Sequence, residues 1–156
     1  MGYQFGHISR NKLTGVHPDL VGVADRALSY GVMDFSVGEG VRTLERQKEL
    51  VQTGFSQTMQ SKHLMQSDGY GHALDLYPYP VDMAAVNKNN AREIARFGLL
   101  AGLMLRAAQE LGVSIPEAMK LTEKGAVDST TAISGLIKGM QKEFKGGMEG
   151  LSKEIP

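Results

Sequence analysis

Apolar and polar positions alternate at two periods along this chain, and the changes between those periods outline its elements. In residues 17–31, HPDLVGVADRALSYG, Leu20, Val23, Ala24, Ala27 and Leu28 recur at helical spacing and predict one apolar helix face. Pro18 suits the first helical position, Asp19 favours the positive end of the helix dipole, and Gly31 can stop the helix. Asp34-Phe35-Ser36-Val37 alternates as a short strand, followed by a turn at Glu39-Gly40. Thr43 can cap a second helix over 44–53 with Leu44, Leu50 and Val51 inward. Residues 54–72, GFSQTMQSKHLMQSDGYGH, read as a long loop, and a loop of that length in a compact domain is usually functional. Ala73 to Tyr77 is a strand stopped by Pro78 and Pro80. Residues 91–111 carry the clearest helix: Ile94, Phe97, Ala101, Met104, Leu105, Ala108 and Leu111 share a face, and Gly112 closes it.

The pattern changes after Val113. A short helix is expected from Pro116-Glu117 to about Lys124, then a hinge at Gly125–Asp128. From there Ile133, Ile137, Met140, Phe144, Met148, Leu151 and Ile155 follow steps of 4, 3, 4, 4, 3 and 4, an eleven-residue repeat that keeps one stripe nearly straight. Gly135, Gly139, Gly146, Gly147 and Gly150 lie in this stretch, each weakening a helix by about 1 kcal/mol relative to Ala. Such a helix needs a partner surface. The expected fold class is α+β: a small antiparallel sheet with packed helices over residues 1–113, and a helical C-terminal extension over 114–156.

Length and charge narrow the function. A chain of 156 residues suits one domain with a real core. Lys plus Arg and Asp plus Glu are each 17, so there is no general pull toward nucleic acid or anionic lipid. The absence of cysteine excludes disulfides, thiolate zinc sites and cysteine nucleophiles. The longest uncharged apolar run, Phe97 to Leu105, is far shorter than the roughly 18–20 residues of a membrane span, and the N-terminus lacks a signal-peptide core. Imidazole chemistry must come from His7, His17, His63 or His72.

Ser61, His63, Gly71, Ala73 and Asp75 form the chemical centre. Asp75 interrupts an otherwise apolar strand, which is costly unless the carboxylate is paired, hydrogen-bonded or bound to a cation. A His and an Asp meeting there suit zinc. The plainer reading is a hydrogen-bonded turn in which Asp75 anchors the loop. In a regular strand His72 faces away from Asp75, and His7 and His17 read as surface or capping residues.

Together, "VHPDLVGVADRAL", "DFSVGEGVRTLERQKELVQTG", "SQTMQSKHL" and "GYGHALDLYP" resemble the zinc peptidases of bacterial cell walls. These are the D-alanyl-D-alanine carboxypeptidases and L-alanyl-D-glutamate endopeptidases, including bacteriophage endolysins. The resemblance covers about residues 5–113. It implies a peptidoglycan peptide-stem hydrolase with zinc as cofactor, His63 and Asp75 as metal ligands, and Ser61 supporting the ligand loop. It gives Arg42 of "EGVRT" the task of steadying the substrate, a job that suits a permanent planar cation. Without the resemblance, Arg42 reads equally as a salt-bridge partner of Glu39 or Glu45.

The chain departs from the family in two places. "MQSDGYG" lengthens the His-to-Asp loop. The family's later Asp-x-x-His element, which supplies a third ligand and a general base, has no counterpart, because no histidine follows His72. Glu117, Glu123 and Asp128 are the candidate replacement acids. The alternative function is a catalytically incomplete relative that acts through its striped helix, pairing over residues 129–155 with a second copy or a helper protein. A recombined C-terminal segment is a further account. The expected location is the host cytoplasm, with release to the cell wall during lysis or association with the virion.

Overall fold

The computed structural model describes residues 2–113 and the backbone of residues 119 and 120. The elements in order are α1 (His7–Lys12), α2 (Pro18–Ser29), β1 (Phe35–Glu39), α3 (Leu44–Gln52), β2 (Leu74–Pro78), α4 (Met83–Asn87), α5 (Ala91–Leu111) and β3 (Met119–Lys120). The fold class is α+β. The striped helix expected over 129–155 lies outside the described residues.

The helix signals act where the sequence puts them. His17 caps α2, its ring accepting the Asp19 N–H, with Pro18 in the first turn. Gly31, just past the helix, takes a left-handed φ of 70°. Thr43 caps α3 by accepting from Arg46 N, and Asn90 caps α5 by accepting from Glu93 N. Gly112 ends α5 at φ 67°. All five expected apolar residues of α2 are buried. On α5, Phe97, Ala101, Met104, Leu105 and Ala108 are buried, whereas Leu111 is exposed.

These two faces meet over the sheet and form one core with Val37, Leu74 and Leu76. Phe97 meets the Tyr77 ring edge-on at 6.4 Å. Fully burying a Leu or Phe stabilises by about 1.5–3 kcal/mol, so this layer is what holds β2 rigid.

In the sheet the order is β1-β2-β3. β1 and β2 are antiparallel, pairing Phe35 with Pro78 and Val37 with Leu76. The register then slips, so that Glu39 lies opposite Asp75. Gly38 occupies the irregularity, and any Cβ there would run into the Tyr77 ring. β3 adds a parallel pairing, Leu74 with Met119 and Asp75 with Lys120. The sheet is therefore mixed at β3, and Met119 and Lys120 are strand where a short helix was expected. This strand brings the chain beyond Val113 alongside Asp75.

Two elements are additions to the sequence reading. α1 is short and polar, HISRNK, with no apolar period to reveal it. It is held by tertiary contacts: Val37 N donates to Ser9 Oγ at 3.0 Å, and Arg10 pairs with Asp25 at 2.8 Å. α4 is a single short segment capped by Asp82.

Candidate metal centre

β2 is buried on both faces, and Asp75 sits in its middle, 2% exposed. The loop 54–72 returns along the end of β1 and places His63 beside it, with no exposure at all. His63 Nε2 lies 3.2 Å from Asp75 Oδ1.

The tautomer of His63 follows from its other nitrogen. Nδ1 is 2.8 Å from the Gly40 carbonyl, which can only accept, so Nδ1 carries the hydrogen. In the neutral ring Nε2 then presents a lone pair toward a carboxylate oxygen that also has only lone pairs to offer. Among the described residues neither Nε2 nor Oδ1 has a hydrogen-bond partner, and both are buried. Two buried acceptors facing each other at contact distance are unfavourable until a proton or cation lies between them. A metal-ligating histidine commonly donates its other ring N–H to a backbone carbonyl, as His63 Nδ1 does here to Gly40. The donor set of imidazole and carboxylate suits zinc.

The surrounding residues hold this geometry. Gly40 must be a glycine, because a Cβ there would strike the Lys12 carbonyl. Arg42 N donates to the His63 carbonyl at 2.8 Å, and His63 N donates to Ser61 Oγ at 3.2 Å. The Arg42 side chain is fully buried. Its Nε and NH2 reach the two oxygens of Glu39 at 3.0 and 2.9 Å. Its NH1 donates to Gln47 Oε1 at 2.7 Å and to Ser61 Oγ at 3.4 Å. Burial raises the Glu39 carboxyl, but the Arg42 hydrogen bonds and charge outweigh it and leave Glu39 below the ordinary value. Arg42 thus pairs with a half-buried Glu39 from a fully buried side chain, and Glu45 is exposed.

Gln47 is the residue that sequence reasoning missed. It points inward from α3 with no exposure, while Leu44, expected inward, is 49% exposed. Its amide also donates to Ser56 Oγ at 2.9 Å and contacts the Thr58 carbonyl, tying the helix to the loop that carries His63. The available signal was its position three residues before Leu50 on the same helix face.

A family model described as phage L-alanyl-D-glutamate peptidase matches residues 1–139. The chain belongs to this family. The match passes Val113, where the motifs that carry the resemblance end. The L-alanyl-D-glutamate peptidase of Escherichia phage T5 is 29% identical over 119 residues, covering 74% of this chain and 79% of that protein. The crystal structure of the Serratia marcescens L-Ala D-Glu endopeptidase ChiX superposes with a TM-score of 0.59 at 38% identity. That likeness covers 72% of this chain and 77% of ChiX.

In this member of the phage L-alanyl-D-glutamate peptidase family, no third His, Asp or Glu among the described residues joins His63 and Asp75 within ligand distance. His72 belongs to a separate surface group with His17 and Asp68. Glu117, Glu123 and Asp128 lie outside the described residues. Within those residues no helix is long and apolar enough to cross a membrane.

Proposed function

We propose that this protein is a zinc-dependent peptidase that cleaves the L-alanyl-D-glutamate bond in peptidoglycan peptide stems, with residues 1–113 as its core. The observation that carries the reading is a pair of buried atoms, His63 Nε2 and Asp75 Oδ1, 3.2 Å apart and without a hydrogen-bond partner among the described residues. His63 and Asp75 would hold the metal. Zinc, when bound there, supplies Lewis acidity that polarises a scissile carbonyl and acidifies water.

The chain's own residues set the conditions for that chemistry. The Gly40 carbonyl fixes the His63 tautomer, so Nε2 faces Asp75 with its lone pair available. The burial of both ligands excludes competing water and strengthens their charge interactions. Arg42 is best read as a positioning residue. It holds the His63 carbonyl with its backbone N–H and Ser61 with its guanidinium, and its buried pairing with Glu39 supports this part over direct contact with substrate.

The second reading, a catalytically incomplete relative that binds through residues 129–155, is favoured by one observation: at the buried centre only His63 and Asp75 converge among the described residues. One experiment separates the two. The full chain is incubated with purified cell walls, and new amino groups and the terminal residues they expose are measured, with and without a chelator. Chelator-sensitive release of D-glutamyl amino termini supports the peptidase. No release at any zinc concentration, from folded protein, supports the incomplete relative.

A further inference from the structure

Outside the buried centre, three side chains with metal-ligating atoms converge on the surface. Asp68 and His72 lie on the loop that joins His63 to Asp75, and His17 caps α2. One ligand atom from each falls within 4.8 Å of the other two. His72 Nε2 is 2.7 Å from Asp68 Oδ2, His17 Nε2 is 3.9 Å from the same oxygen, and the two imidazole centroids are 5.1 Å apart.

The backbone holds this cluster in place. His17 N donates to the Gly71 carbonyl at 2.9 Å and Gly71 N donates to the Gly15 carbonyl at 2.9 Å, so the segment before α2 and the end of the loop are bridged on both sides. The Asp68 carboxylate is aimed as well: its Oδ1 accepts the Tyr70 N–H at 3.1 Å, which leaves Oδ2 toward the imidazoles. That backbone hydrogen bond, with His72 and His17, holds the Asp68 carboxyl below its ordinary value and keeps it an anion.

We propose that His17, Asp68 and His72 form a second binding site for a borderline divalent cation such as zinc. Two imidazoles and one carboxylate are a donor set that zinc takes, and the exposed side leaves a position for water. Binding needs one rearrangement. His17 Nδ1 accepts the Asp19 N–H at 3.1 Å, which puts the hydrogen of the neutral ring on Nε2. Coordination through Nε2 moves that hydrogen to Nδ1, which then ceases to accept the Asp19 N–H and can donate to the Asp19 carboxylate, 4.0 Å away. In His72 the hydrogen that Nε2 donates to Asp68 likewise moves to Nδ1, so both rings stay neutral and change tautomer. A cation here would cross-link α2 to the loop whose two ends are His63 and Asp75, bracing the buried centre from outside.

The test is zinc stoichiometry on the full chain by equilibrium dialysis, in wild type, His72→Ala, His17→Asn and His63→Ala. Asn caps a helix as well as His does, so His17→Asn removes the ligand and keeps α2 intact. The proposal expects His72→Ala and His17→Asn each to bind one equivalent fewer than wild type, and His63→Ala to retain that equivalent. It is overturned if both surface variants bind as much zinc as wild type, or if the only equivalent present disappears with His63→Ala. A protein whose single equivalent depends on His72 and not on His63 would support this site and refute the buried one.

Discussion

Asp75→Asn separates a metal centre from a buried ion pair, because the two accounts give opposite signs. Asn is nearly isosteric with Asp and brings an N–H donor. Placed 3.2 Å from His63 Nε2, that donor meets the lone pair that the Gly40 carbonyl forces to face it. An unsatisfied buried polar group costs about 1–3 kcal/mol. With zinc removed by chelator, Asp75→Asn should therefore be more stable than wild type by about 1–3 kcal/mol, a rise in Tm of roughly 2–4 °C per kcal/mol in a chain of this size. Adding zinc reverses the order. At a thousand times its Kd a ligand stabilises by about 4.1 kcal/mol, and only wild type keeps both buried ligands. Thermal unfolding of both proteins, each with chelator and with zinc, reads all four values. If His63 were instead a protonated partner of Asp75, removing the carboxylate would break a buried pair and lower stability by about 3–5 kcal/mol. A large loss in chelator, with equal zinc response in both proteins, would refute the reasoning.

Two other changes test the supporting structure. Gln47→Leu leaves Arg42 NH1 without its 2.7 Å acceptor and frees the loop at Ser56 and Thr58. It should cost about 1–3 kcal/mol by urea unfolding and lower kcat on cell walls more than it raises KM; unchanged kcat in a folded variant would show that Gln47 does not position the ligand loop. Glu110 on α5 accepts from Tyr30 at 2.7 Å and pairs with Arg26 at 3.0 Å, and first Tyr30, then Arg26, hold its carboxyl below the ordinary value. Because the folded value is depressed, this contribution is fully present above the unfolded value of about 4.3 and is lost as pH falls through the lower folded one. The Tm difference between wild type and Glu110→Gln should hold steady from neutral pH to mild acid and shrink in strong acid; a difference that grows in acid would reverse the assigned sign.

What could be read from the sequence depended on how local its cause was. α2 and α5 declare themselves through apolar spacing and end signals, and both lie where Pro18, Gly31 and Gly112 put them. His63 and Asp75 were legible as a pair because a carboxylate inside an apolar strand needs a partner, and the short motifs around them supplied the partner's position. α1 was silent, because it is fixed by Ser9 and Arg10 reaching distant residues and has no period of its own. The inward turn of Gln47 was hidden for a similar reason: a polar residue goes inside only when its hydrogen bonds are met there, and they are met by Arg42 and by loop residues up to 11 positions away. The His17 cluster joins residues 55 positions apart in sequence through a backbone bridge that no local pattern announces.

The most direct measurement is the zinc content, by elemental analysis, of wild type and His63→Ala purified and dialysed side by side. The buried centre requires wild type to carry one equivalent more than the variant, with both proteins folded. Equal zinc in the two, whether none or one each, would mean that the imidazole and the carboxylate face each other for some purpose other than holding a metal.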